Sequence, residues 1–488
     1  MTLTPSDFPA FFRDVYRYEP FPWQTRLARQ VLTTGRWPDL LNLPTGTGKT
    51  SVIAIAVFHL ALEACGHHRR RAPMRMLFVI DRRIVVDAAF EQACILACAL
   101  RQPPTKLVGD VADALTALSG VKGDPLDVVH LRGGVPQDRD WVRAPAQPLV
   151  IVSTVDQVGS RLLFRGYGVS SGMAPVHAGL VGSDALWFLD EVHLSKPLKD
   201  TLEAIRKGHP EPGQRPGTLA EQARLAPFGV VTLSATPGET GTNAFRLDEE
   251  DWHCPVLRKR LEASKLATLE AYEGEGVDAF VEHAMSLAGL GERAESQPKK
   301  GGEKKRSRSR AQLPDTTHLK QASRIAVIVN RVDLARRVFT KLRDAAEDRA
   351  DVMLLTGRLR PLDRDRLMGR IQPLEASPER KNPPKPIILV ATQTVEAGAD
   401  LDVDALVTEI APIDALRQRF GRLDRLGERG LSRAVILHPV GKPSKSDSRA
   451  PWSIIARIYG SSAYDTCQWL RELNGPIDFG IKAFEPIM

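Results

Sequence analysis

Two short stretches hold residues whose types and spacing could do chemistry. In "LPTGTGKTS", residues 43–51, glycines, a lysine and a threonine follow an apolar strand-like run and precede a helix-like one. Closely spaced glycines let successive backbone N–H groups turn inward, making an anion-binding concavity at a helix N-terminus. Lys49 adds a mobile cation suited to the β- and γ-phosphates of a nucleotide, and the Thr50 hydroxyl is placed to coordinate Mg²⁺. Strict G-x-x-x-x-G-K-[ST] fails at one position, where Leu43 replaces the first glycine. In the second stretch, "ALWFLDEVHLSKP" at 185–197, an apolar run delivers Asp190 and Glu191 to its end, with His193 two residues on. Adjacent carboxylates at a buried strand end need a cation or water beside them. A phosphate loop supplies both. Asp190 would approach the Mg²⁺ from the other side, and Glu191 would orient or deprotonate an attacking water.

The elements that must position these groups alternate along the chain. Apolar, β-branched runs occur at 40–44, 74–80, 148–154, 186–190 and 229–235, and again at 324–330, 351–357, 386–392, 405–410 and 432–439. Helix-like stretches such as "KTSVIAIAVFHLALEA" lie between them, with helices expected after Thr50 and after Ala415. Such alternation predicts α/β architecture: two tandem blocks, each a parallel sheet covered by helices on both faces. The expected limits are 1–290 for the first domain, a flexible basic linker over 291–321, 322–442 for the second, and a short C-terminal segment over 443–488. That segment reads as the start of a further, accessory domain.

Bulk properties narrow the class. At 488 residues the chain exceeds one core. It lacks both an apolar run long enough for a membrane span and a secretory leader pattern. Five cysteines without C-x-x-C pairing fit reduced thiols in a cytoplasmic protein rather than a zinc or disulfide framework. The net charge of +8 invites a nucleic-acid reading, but "KKGGEKKRSRSR" at 299–310 alone contributes +6. The charge is therefore mostly that of the linker, expected to be a tether before a DNA-tracking arm.

With D-E-x-H beside P-T-G-x-G-K-T, the chain resembles superfamily two helicases of the DEAD/DEAH type, whose fold is two tandem RecA-like domains. Further segments match in the family's order: "LSATP" at 233–237 resembles motif III, "ATQTVEAGADLDVD" at 391–404 motif V and "QRFGRLDRLG" at 418–427 motif VI. The resemblance implies that Thr45, Gly46, Thr47, Gly48, Lys49, Thr50 and Ser51, with Gly398 and Asp400, bind ATP, and that Gln24 in "FPWQ" reads adenine. Mg²⁺ would lie between Thr50 and Asp190. Ser234 and Thr236 would couple hydrolysis to nucleic-acid grip, and His193 would bridge the water site to Gln418 or to the "LSATP" segment. Arg422 and Arg425 would reach the γ-phosphate only when the two lobes close, which ties hydrolysis to motion. Strand-backbone contacts are implied for Arg82, Arg83, Arg132, Gly133, Thr154, Asn330, Arg331, Thr356, Gly357, Thr392 and Thr394. These groups suit phosphates rather than base edges, so binding would be sequence-independent.

The run "VATQTVEAGADLDVDALVTEIAPIDALRQRFGRLDRLG" is most similar to the helicase part of the CRISPR type I interference helicase–nuclease. That family implies ATP-driven movement on single-stranded DNA, recruited by an RNA-guided surveillance complex. It usually carries an HD nuclease, yet none of the eleven histidines here precedes an aspartate. The expectation is a chain without nuclease activity of its own, either truncated or served by a separate HD nuclease. An RNA helicase or other remodeller, a non-travelling nucleotide-dependent scaffold, and a restriction-enzyme translocase subunit are the alternatives. Retention of Glu191 and both arginines disfavours the scaffold.

Overall fold

The computed structural model describes the chain apart from residues 1–2, 66–69, 81–82, 120–122, 133–139, 191–195, 208–226, 235–242, 292–320, 358–359, 378–379, 397–400, 443–449, 474 and 485–488. It forms two units, Met1–Arg258 and Lys259–Met488.

The first unit holds β1 (Leu40–Asn42), β2 (Arg75–Ile80), β3 (Asp127–Leu131), β4 (Leu149–Thr154), β5 (Ala185–Asp190), β6 (Phe228–Ser234) and β7 (Ala244–Arg246). They order as β3-β4-β2-β5-β6-β1-β7, every neighbouring pair parallel. β2, β4 and most of β5 are buried throughout, as expected for strands covered on both faces. The helix Val52–Ala64 is apolar all round, and its residues 52–61 are all buried, so it is enclosed rather than one-faced. Trp187 is wholly buried on β5 and donates from Nε1 to the Val181 carbonyl at 2.9 Å, so its polar edge is satisfied.

The second unit holds β8 (Ser264–Tyr272), β9 (Arg324–Ile328), β10 (Asp351–Leu355), β11 (Ile387–Ala391), β12 (Ala405–Glu409), β13 (Leu431–Pro439) and β14 (Ile477–Asp478). Their order is β10-β11-β9-β12-β13-β8-β14, parallel except for the antiparallel β14–β8 pair. Both sheets run C-terminal strand ends to one edge, where α/β folds place ligands.

Two expected boundaries need correction. The first domain ends near 258, not 290, because β8 pairs along its whole length with β13 and the helix Val277–Leu287 buries Phe280 and Ala284 against Ile325 and Val327. β8 escaped notice because "SKLATLEAY" alternates weakly and reads as a half-wet strand or loop. The described residues after 442 likewise pack into the second unit. Trp452 Nε1 donates to Pro439 O at 3.0 Å, β14 closes the sheet edge, and Phe479 stacks on Phe420 at 3.9 Å. Of the expected linker, residues 292–320 lie outside the described residues.

Candidate active site

The loop after β1 has the conformation its glycines predict. Gly46 and Gly48 take φ of +81° and +79°, left-handed values open to glycine at little cost. Leu43, at the first-glycine position, is fully buried, and its N–H donates to Ser234 O at 3.0 Å. It continues the strand into the core, so the missing glycine does not disturb the turn. A short 3-10 turn, Lys49–Ser51, then leads into the helix Val52–Ala64.

The helix Pro22–Thr34 braces this loop from behind. It begins on Pro22, whose absent N–H is one of the helix's orphan donors anyway, and ends at Gly35 with φ +66°. Trp23 Nε1 donates to Thr47 O at 3.0 Å, and Gln24 Nε2 donates to Gly48 O at 3.2 Å. Gln24 Oε1 accepts from the Phe21 N–H at 2.8 Å. Gln24 is 2% exposed with both ends of its carboxamide engaged, so the structure turns the expected adenine reader onto the loop backbone. Asp251 clamps the helix start, accepting from Trp23 N at 2.6 Å and from Arg26 at 2.9 Å.

Lys49 and Asp190 meet as the spacing predicts, Nζ to Oδ1 at 3.9 Å, both largely shielded. β5 and β1 are separated in the sheet only by β6. Thr50 stands half-buried beside them, and Ser51 Oγ is buried with no hydrogen-bond partner among the described residues. The Asp190 carboxylate and the Thr50 and Ser51 hydroxyls are hard-oxygen donors of the kind Mg²⁺ takes, and Lys49 with the loop N–H groups suits a polyphosphate. Glu191, His193 and Thr236 lie outside the described residues, as do Arg82, Gly133, Gly398 and Asp400. Ser234, buried at the end of β6, supports Leu43 through its carbonyl.

In the second unit the expected motif residues converge on one buried arginine. Arg419, on the helix Ile413–Phe420, is 0% exposed. It donates to Glu396 Oε1 at 2.6 and 2.9 Å, Thr408 Oγ1 at 2.8 Å, Glu409 O at 2.7 Å and Asn330 Oδ1 at 2.7 Å. Burial alone would weaken its charge, but Glu396 and other neighbours hold the guanidinium protonated above its ordinary value. Burial pushes the Glu409 carboxyl upward, although Asn330 N–H donates to it at 2.6 Å.

Asn330 therefore requires correction. Its Nδ2 donates to Ile410 O at 2.8 Å and its Oδ1 accepts from Arg419, so its side chain is consumed inside the unit rather than offered to a nucleic acid. An Asn-Arg pair at a strand end looks alike in either role, and only burial separates them. Arg422, 5% exposed, donates to Val395 O at 3.2 Å and Glu396 O at 3.0 Å, seating motif VI on motif V. Arg425 is half-buried, its N–H donating to Asp402 Oδ1 at 2.7 Å. Gln418 and Arg331 are half-buried; Thr392 is buried, and Thr394 packs beside Gly357, where an added Cβ would stand 3.3 Å from its Cγ2. Thr154 and Thr356 are buried at strand ends, Arg132 is half-buried, and Arg83 opens the helix Arg83–Arg101.

Sequence reasoning also missed Lys265. It is buried on β8, with Nζ donating to Phe420 O at 2.9 Å, the last residue of the Arg419 helix. Burial lowers its pKa to about 8 against the pull of Asp424 and Asp402.

Two parallel-sheet units in tandem, with a phosphate loop and a strand-end aspartate in one and the arginine network in the other, give the fold class of tandem RecA-like domains. Within that class the chain resembles Cas3. Residues 321–428 match the family model described as CRISPR-associated nuclease/helicase Cas3, C-terminal. A Cas3-designated protein of Methanocaldococcus jannaschii is 37% identical over 103 residues, 21% of this chain and 13% of that protein. The CRISPR-associated endonuclease/helicase Cas3 of Escherichia coli K12 is 33% identical over 120 residues, 23% of this chain and again 13% of the relative. The fold matches the crystal structure of T. fusca Cas3 with TM-score 0.61 at 16% identity, over 98% of this chain and 53% of that one. The chain thus spans about half the length of the structure it resembles. No described helix is long and apolar enough to cross a membrane.

Proposed function

We propose that this chain is an ATP-driven helicase that moves on single-stranded DNA, the motor of CRISPR type I interference. The observation that carries the reading is the Lys49–Asp190 approach across a glycine-turned phosphate loop. Lys49 and the loop amides of Thr47 to Ser51 bind the triphosphate, Gln24 and Trp23 hold the loop's shape, and Glu191 orients or deprotonates the attacking water. Thr50 and Asp190 would hold Mg²⁺, which neutralises charge on the β- and γ-phosphates when bound. Arg422 and Arg425 stabilise the charge that develops on the transferred phosphoryl group, a contribution of roughly 10³ to 10⁵ in rate.

The nucleic-acid contacts assigned to Arg82, Arg83, Arg132, Gly133, Thr154, Arg331, Thr356, Gly357, Thr392 and Thr394 belong to the same reading. So do an RNA-guided surveillance complex as recruiter and an HD nuclease outside this sequence, carried on a longer chain or supplied separately.

The test is an ATPase assay of the chain and of Glu191→Gln with no strand, with single-stranded DNA and with RNA. DNA stimulates the wild type strongly, RNA does so less, and Glu191→Gln binds nucleotide but is nearly silent. Equal rates in the two proteins would refute the role of Glu191, and stronger stimulation by RNA would refute the DNA motor.

A further inference from the structure

Outside the nucleotide and arginine sites, the most unusual surface on the first unit follows the helix Val155–Leu162. Residues 163–176 leave apolar groups in water: Leu163 is 57% exposed, Phe164 61% and Tyr167 57%, with Met173 and Val176 exposed beside them in sequence. The segment is ordered by its own backbone. Leu163 N–H donates to Gly159 O at 3.1 Å, Phe164 N–H to Arg161 O at 3.1 Å, Arg165 N–H to Ser160 O at 2.7 Å, and Val169 N–H to Gly166 O at 3.1 Å. Gly166 is required at the turn, where a Cβ would stand 2.8 Å from both Arg161 Cγ and Val169 Cγ2.

Phe164 itself has φ +60°, a left-handed conformation that a bulky side chain rarely adopts. A strained residue that holds a large ring in water gains nothing from packing, so its presence points to a role. Neither Phe164 nor Tyr167 stacks on another described ring, and no described acid pairs with Arg165. Charge identifies the occupant's sign. From Gln157 through Ser183 there is no Asp or Glu, and Arg165 is exposed among the rings, whereas Arg161 and His177 are buried and add nothing to the surface charge. The stem also continues directly from β4 and Thr154, where strand-backbone contacts are proposed above.

We infer that this segment is a stacking platform for single-stranded DNA: Phe164 and Tyr167 take base faces and Arg165 takes a phosphate. The assignment rests on the DNA-motor reading for the identity of the strand. Exposed rings interleaved with a cation, free of acids, are the composition that binds single strands without reading sequence. A protein-docking loop would not need to exclude acids over 27 residues.

The test compares binding of labelled oligo(dT) with an abasic strand of equal length, by fluorescence anisotropy on the full chain. Wild type binds oligo(dT) more tightly. Phe164→Ala with Tyr167→Ala loses on the order of tenfold or more on oligo(dT) and little on the abasic strand, which has phosphates but no bases. Arg165→Gln weakens both strands and reduces the salt slope by about one. Phe164→Gly separates binding from folding: it relieves the backbone, so thermal stability holds or rises while oligo(dT) binding falls. Unchanged oligo(dT) binding in the double alanine variant overturns the platform, and is the result a protein-docking loop would give. Ring-dependent binding by a chain that hydrolyses no ATP overturns the motor and leaves the platform standing. A wild type that binds neither strand overturns both.

Discussion

Arg419 Nη2 lies 2.6 Å from Glu396 Oε1, with both residues buried inside the second unit. This contact fastens the helix Ile413–Phe420, which leads into the turn holding Arg422 and Arg425, to the loop that follows β11. Tyr459, from the C-terminal helix Pro451–Tyr459, joins at 3.4 Å to Arg419, and Gln393 donates to it at 3.2 Å. Motif V, motif VI and the C-terminal segment therefore move as one body.

Removing one partner from a buried ion pair leaves the other charge unsolvated, at about 3–5 kcal/mol. Arg419→Met should lower the urea midpoint of the unfolding transition accordingly. Arg425→Ala should change stability by no more than about 1 kcal/mol, since its side chain is only half-buried. ATP hydrolysis should be lost in both, so the two arginines separate in denaturation and not in activity. A stable Arg419→Met would show that the network is not what holds motif VI.

Gly48 has φ +79°, and a Cβ there would stand 3.0 Å from Gln24 Nε2. Gly48→Ala should weaken binding of a fluorescent ATP analogue by tenfold or more, from backbone strain of roughly 1–2 kcal/mol and a displaced brace. Combining it with Gln24→Ala should recover nothing. Recovery would mean that the clash with Gln24, not the left-handed backbone, sets the loop's shape.

Glu63 ends the helix that begins at the phosphate loop and accepts from Ala72 N–H at 2.7 Å, from Arg71 Nε at 3.0 Å and from the Arg71 N–H. Burial would raise its pKa, but the bonds from His59, Ala72 and Arg71 outweigh it and bring the carboxyl down to about 2. A depressed folded-state value means the stabilisation is complete above pH 4.5 and is lost as pH falls from there through 2. Glu63→Gln should be less stable at neutral pH, and its stability should fall less steeply between pH 4.5 and pH 2. Parallel acid-denaturation curves for the two proteins would show that Glu63 is not among the carboxylates responsible.

Much of the architecture was legible because its cause is local. All ten apolar runs expected as strands are strands, since a parallel strand covered on both faces must be apolar along its length. The missed strands β3, β7, β8 and β14 are short, polar or alternating, and lie at or beside sheet edges where one side stays wet.

The amino-acid sequence by itself determined the phosphate loop, the strand-end Asp190 beside it and the two-sheet plan, because each depends on residue type at short spacing. Only tertiary structure decided that Gln24 braces the loop, that Asn330 is spent on Arg419, and that β8 and β14 complete the second sheet. Those outcomes turn on which polar groups lose water together. Burial is a property of surfaces meeting across hundreds of residues, and no local pattern records it.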